Sequence, residues 1–458
     1  MKVRITDYGA NQGDTLSTKA IQKAIDDCFN IGGGTVVVPE GEYLTGGIVL
    51  RSGVQLHLEK NAHLIASRNV DDYNDFLNSN IGPVQDKDKT NDLYLPFGKR
   101  KSYDFLNKYA SRWNNALIRA VDSQNISITG EENSYIDGVD CYDPLGEEGF
   151  RGPHAINFHR CKNITLFGYT IKNSANFAHS LFECNNISAK NIVVYAGHDG
   201  IHLTSCKNIE ISECKFNTGD DCIAGIDNLN MVVKKCEINS SCNGFRLSGE
   251  NILIDNCHIF GPGRACHRSS LSYEEKKSGK MTGNNHRFNM LSAFTYYADY
   301  SRNFATSPGN IVINNCKIEN TERFLNYNFG NDIWQSNVPL KDITFKNIIA
   351  SDIKLPLCVF GSEILPCTLK IENVDIDFAK DRRVVLWWDK DKVYETGEFI
   401  KAKNFESIIL DNVRVSGING NVLIKSWSDG GKIIVNQLDS ADFNGKLRVN
   451  TDEEVIVV

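Results

Sequence analysis

The stretch Asn217–Ile226, NTGDDCIAGI, sets two adjacent acids, Asp220 and Asp221, in an otherwise apolar run. Neighbouring side chains on a strand point to opposite faces, and a buried carboxylate costs several kcal/mol unless it is paired. The pair is therefore either a solvated turn or part of a cleft where acids are needed. Asp199 stands 22 residues before Asp221, and Asn243 stands 22 after it. Three residues on, the same stepping gives Asn157, Ser180, His202, Ala224 and Arg246. If the chain coils with this period, adjacent strands lie ~4.8 Å apart and three carboxylates crowd a site bordered by His202, Asn243 and Arg246. Crowded acids push one pKa upward, which leaves a protonated acid beside an ionised base. Cleavage of a glycosidic bond uses that combination, one group protonating the leaving oxygen and another activating water.

The period is visible elsewhere. Asn-Ile or a near match recurs at Asn163, Asn186, Asn208, Asn230 and Asn251, and continues at Asn310 and Asp342. A cysteine ladder runs through Cys214, Cys236, Cys257 and Cys316. Short β-branched runs such as NIEIS and NIVIN read as strands between turns. Repeats of this length bury their apolar face only by stacking on their neighbours. The leucine spacing of leucine-rich repeats is absent, and the pattern predicts an all-β, right-handed parallel β-helix with the cysteines as small interior hydrophobes. A solenoid end needs a cover. Ala20, Ile21, Ala24, Ile25 and Cys28 are spaced for a short N-terminal capping helix, with Asp14 or Thr15 as its N-cap. Residues 1–458 read as a single domain with excursions at about 68–118 and 258–309.

The chain has 458 residues, 41% of them hydrophobic, with a net charge of −7. That allows a large core, and the acidity argues against a nucleic-acid partner. No apolar run suits a membrane span, and the N-terminus lacks a signal-peptide pattern. Fourteen cysteines without such a signal read as free thiols, which sets the expectation of a cytoplasmic protein. No metal and no cofactor is expected, and the oligomeric state stays open.

The sequence resembles glycoside hydrolase family 28, the polygalacturonase family of right-handed β-helices, over roughly residues 5–350. The resemblance rests on the opening YGANQGDTLSTKAIQKAIDDC, the following GGGTVVVPEGEY, YIDG at 135–138 and the coil pattern. It implies that Asp199 of HDG and Asp220 and Asp221 of GDD are catalytic. Asp220 would be the general acid, the other two would activate water, and the configuration would invert. The spacing alone suggests the closer carboxylates of a retaining enzyme.

Departures fall around these acids. Gly197-His198 replaces the family's Asn-Thr, and Cys242-Asn243-Gly244 replaces its Gly-His-Gly. Asn326 and Asn328 align with the Arg and Lys of its uronate-gripping Arg-Ile-Lys. Candidate substrate contacts are then His198, His202, Asn243, Arg246, Asn326 and Asn328, with Arg264, His267 and Arg268 of the inserted segment rebuilding the lost subsite. A solvated loop is the other reading of that segment, and an ion pair with Asp221 or Glu250 the other reading of Arg246. Trp334, Trp387, Trp388 and Tyr327 are candidates for stacking on a sugar or for packing. The expected partner is a short oligosaccharide, pectin-derived and attacked from one end. A β-helical polysaccharide lyase and a non-catalytic carbohydrate-binding protein remain the alternatives.

Overall fold

The computed structural model describes residues 1–73, 112, 114–299, 304–330, 334–385, 393–418, 422–427, 431–440, 449–450 and 454–457. These group into two compact units, Met1–Asp220 with Ala265–His286, and Asp221–Arg264 with Arg287–Tyr300 and Phe304–Val458. In each, short strands pair in parallel with the strand one coil later, in the pattern of a right-handed parallel β-helix.

The first unit shows why the repeat folds this way. Strands Lys162–Phe167, Asn185–Lys190 and Lys207–Ser212 pair in register, so that Ile164, Ile187 and Ile209 stack inside while charged and polar neighbours face out. In the second unit the equivalent interior column is Met231, Ile252, Ile311, Ile343, Leu369, Ile408 and Ile433. Every member of it is buried, and each such side chain is worth ~1.5–3 kcal/mol against leaving it in water.

The asparagine column has a backbone cause. Asn163, Asn186 and Asn208 have φ of 56–58°, the left-handed region that asparagine tolerates at a sharp bend. Their side-chain amides hydrogen-bond along the column, Asn186 to Asn163 at 3.0 Å and Asn208 to Asn186 at 3.3 Å. Asn230, Asn251 and Asn310 repeat the arrangement in the second unit. The cysteines are free and, apart from half-exposed Cys242, buried. In the ladder the thiols donate to the carbonyl two residues back, as Cys214 does to Ser212 and Cys316 to Asn314. A second cysteine column, Cys161, Cys184 and Cys206, runs through the first unit.

The capping helix is present at Thr18–Asn30, with Ile21, Ala24, Ile25 and Cys28 buried. Its N-cap is Ser17 rather than Asp14 or Thr15, because Ser17 is tied to the main chain of Asn11 at the bend. The Gln22 amide both donates to the Val49 carbonyl and accepts from its N–H, closing polar groups at the open edge of the coil. Most of the excursion at 68–118 lies outside the described residues. The excursion expected at 258–309 contains the helix Tyr273–Ser278, closed by a Ser272/Glu275 capping box, and the strand Ser292–Tyr296, which rejoins the coil beside Asn243–Asp255. No described helix is long and apolar enough to cross a membrane.

Candidate active site

In the first unit, Asp199 lies just before the strand Ile201–Thr204, and Asp220 just after Lys215–Thr218. Gly219, directly before Asp220, and Gly197, two residues before Asp199, both sit on tightly packed backbone. A Cβ on Gly219 would come within 2.1 Å of the Cys266 carbonyl oxygen and 2.5 Å of that of Gly197. One on Gly197 would meet the Arg268 side chain. The Thr218 hydroxyl donates to the Asp220 carbonyl at 2.7 Å and fixes the turn. Asp199 and Asp220 thereby bring carboxylate oxygens within 4.8 Å of each other. Asp199 Oδ2 is 2.8 Å from His202 Nδ1, and that imidazole lies flat on Phe177, centroids 4.6 Å apart. Asp220 has Arg151 Nη2 at 3.9 Å and His267 Nε2 at 3.7 Å.

Arg151, buried, is the hub of this cluster. It forks onto Glu148 at 3.1 and 3.2 Å, approaches Glu147 at 3.7 Å and reaches Asn176 at 3.4 Å. Burial opposes its charge, but the carboxylates of Glu148, Glu147 and Asp220 hold its pKa above the usual value. Glu147 is pushed up to about 7, first by burial and then by the charges of Glu148 and Asp199, against the pull of Arg151. Burial, and after it the Arg151 and Arg268 cations, hold the His198 imidazole well below its usual pKa. Its Nε2 finds no hydrogen-bond partner among the described residues. None of Glu147, Glu148 and Arg151 is singled out by the repeat pattern, because they sit on a turn outside the strands.

The second unit carries the other acid. Asp221 is fully buried, accepting from Asn243 Nδ2 at 2.7 Å and from Arg246 Nη1 at 3.0 Å. Asn243 accepts in turn from the Thr295 hydroxyl at 2.9 Å. Strand alternation places Phe245 and Leu247 inside and Arg246 outward. Its guanidinium lies 3.9 Å from the Tyr297 ring centroid and 4.8 Å from that of Trp334. Tyr297 is anchored by its hydroxyl to Asp299 at 2.7 Å. The ion pair with Asp221 thus coexists with cation–π contacts to two neighbouring rings.

Arg246→Lys keeps the charge but loses the planar fork and the stacking. If Arg246 contacts substrate, kcat/KM should fall about tenfold, the worth of one hydrogen bond to a charged group, with the melting temperature nearly unchanged. Normal kinetics with a large fall in melting temperature would make it a purely structural partner of Asp221.

The remaining candidates are dispersed. Arg264 is exposed and lies over Phe260 in the second unit. In the first unit, Arg268 is buried and paired with Asp140, and His267 Nδ1 accepts from the Ser269 N–H. Asn326 follows Arg246 and Thr295 in one column, and Asn328 is half-buried two residues on. Tyr327 is fully buried, accepting from the Leu340 N–H, so it packs in the core and offers no face to a sugar. Trp387 and Trp388 lie outside the described residues.

The sequence model of glycosyl hydrolases family 28 matches residues 102–244, the segment that carries all three acids. Over that segment the chain is similar to glycosyl hydrolases family 28. It is 29% identical over 232 residues to a probable polygalacturonase of Vitis vinifera, covering 47% of this chain and 42% of that one. It is 26% identical over 252 residues to an exo-poly-alpha-D-galacturonosidase of Dickeya chrysanthemi, covering 48% and 41%. The chain thus spans about two-fifths of the length of these curated relatives. Among solved structures, a family 28 exopolygalacturonase of Yersinia enterocolitica superposes with a TM-score of 0.61 at 17% identity, covering 97% of this chain and 79% of that one. A hyperthermoactive exopolygalacturonase of Thermotoga maritima gives 0.57 at 19% identity, covering 84% and 88%. At such identities these two structures bear on the fold of the chain alone.

Proposed function

We propose that the chain is a glycoside hydrolase that releases sugar units from the end of a pectin-type oligosaccharide. One observation carries the reading: Asp199 and Asp220 bring carboxylate oxygens within 4.8 Å of each other, one acid oriented by His202 and the other flanked by Arg151 and His267. Asp220 gives its proton to the glycosidic oxygen as the C1–O bond breaks. Water attacks C1 and passes a proton to Asp199. One water is consumed, and the proton is returned to Asp220 through solvent. Arg246, beside the Tyr297 and Trp334 rings, offers a donor fork to a substrate carboxylate in place of the missing Arg-Ile-Lys. End-wise action is supported by similarity to the exo-poly-alpha-D-galacturonosidase of Dickeya chrysanthemi.

The separation of the acids alone fits the ~5–5.5 Å of retaining enzymes better than the ~6.5–9.5 Å of inverting ones. The family resemblance favours inversion, and inversion is the proposal. Incubation with short galacturonides, following the first-formed anomer by NMR, decides it. A β-anomer from an α-linked substrate is expected, and the α-anomer would establish retention. An unsaturated product absorbing in the near ultraviolet would replace hydrolysis by elimination, and no turnover of any pectic or neutral glycan would leave a binding protein.

A further inference from the structure

The column that contains Arg246 continues in register through Thr295, Asn326, Cys358, Lys401 and Lys425, all in the second unit, with Thr295 and Cys358 buried and the two lysines partly exposed. Five coil steps of ~4.8 Å place Lys425 roughly 24 Å from Arg246 along the stack. Around its far end the surface changes character. Lys401 and Lys425 are direct cross-strand partners, a like-charge pairing that costs stability unless something anionic lies between or over them. Lys401 has only a long 3.7 Å pair with Glu398, and Lys425 makes no ion pair with any described residue. Burial, and to a lesser degree the charges of Arg323 and Lys425, lower the Lys401 pKa against the pull of Glu398.

Next to these lysines Trp427 is 50% exposed. Its ring is braced edge-on by Phe360 at 5.7 Å and 89°, and Lys425 Nζ sits 4.9 Å from its centroid. A half-exposed indole braced on one side and cationic on another suits a saccharide that carries carboxylates: a sugar ring stacks its C–H face on the indole while the ammonium groups take the acid. The column runs parallel to the stack, and its step is comparable with the rise of one pyranose unit, so one linear chain could meet several coils.

We propose that Lys401, Lys425 and Trp427 form a non-catalytic binding site for an acidic saccharide, distant along the column from Arg246. Its choice of ligand rests on the proposed pectin-type substrate, whereas the site itself does not depend on hydrolysis. A nucleic acid would meet the same cations, and its preference over the saccharide is one of the outcomes of the test.

The test uses the full chain carrying Asp220→Asn, titrated calorimetrically with a galacturonate trimer and a galacturonate octamer. The octamer should bind about tenfold tighter, through engagement of a second site, and the gain should shrink with added salt. A Lys401→Gln/Lys425→Gln double variant should lose that gain and keep trimer affinity. Trp427→Leu, which leaves the charges in place, should lose part of it. With Asp220 restored, the double variant should keep wild-type kcat on the trimer. Equal affinity for both lengths, or an unchanged gain in the double variant, would overturn the site, as would tighter binding of a single-stranded oligonucleotide than of the octamer. Absence of trimer hydrolysis by the wild type would instead overturn the proposed activity, with the length-dependent binding still readable.

Discussion

Asp220→Asn should lower turnover of a short galacturonide about 10²–10⁴-fold, the usual worth of general acid catalysis, with an unchanged melting temperature and near-normal substrate affinity. The carboxamide has the shape of the carboxyl and leaves Arg151 and His267 in place around it, but it has no acidic proton to give. The turn itself survives, since Thr218 holds the Asp220 carbonyl rather than its side chain. The role is diagnosed by the leaving group. An aryl glycoside with an acidic phenol departs without protonation, so the variant should recover much of its rate on that substrate. Asp199→Asn should recover none, because activation of water is needed whatever leaves. A variant that keeps more than about a tenth of wild-type turnover on the natural linkage would move the acid to another residue.

The two variants separate because the acids sit in different surroundings, and those surroundings were unequally legible in the sequence. Wherever the repeat is regular, its period sets the register. The columns Asn157–Ser180–His202 and Ala224–Arg246 are strand partners as counted, and Arg246 faces outward as alternation requires. The asparagine and cysteine ladders follow from the same counting, because each marks one bend of every coil. Counting fails where the chain leaves the coil. The turn that carries Glu147, Glu148 and Arg151 has no period, so nothing in the residue types tied it to Asp220. The Ser272/Glu275 capping box was readable as a helix start, yet the charge density of the segment reads as a solvated loop. Tyr327 misleads in the opposite sense: an aromatic beside Asn326 and Asn328 suggests a sugar platform, while alternation along its strand turns it inward.

The turn missed in that way supports the second large effect. Arg151→Met should destabilise the protein by about 3–5 kcal/mol near pH 8, the cost of removing one partner of a buried charge cluster. Methionine fills much of the volume, so the loss is chiefly electrostatic. Glu148 loses both arms of a fork, and Glu147 loses the main influence that holds its pKa down. The sign follows from Glu147. Its folded pKa of about 7 lies above the ordinary value of 4.5, so it contributes stability that is complete below about pH 4.5 and is lost as pH rises through about 7. Without Arg151 the folded pKa rises further, and the loss extends to higher pH. The gap in melting temperature between variant and wild type should therefore be small near pH 5 and widen towards about pH 8. Adding Glu147→Gln to Arg151→Met should remove most of that pH dependence, because the amide stays neutral throughout. Arg151→Lys should restore part of the stability, since it returns the charge without the fork. Activity should fall in every Arg151 variant, through the contact with Asp220, so the pH profile of melting carries the test. A gap of the same size at all pH values would mean that Glu147 is not the titrating group.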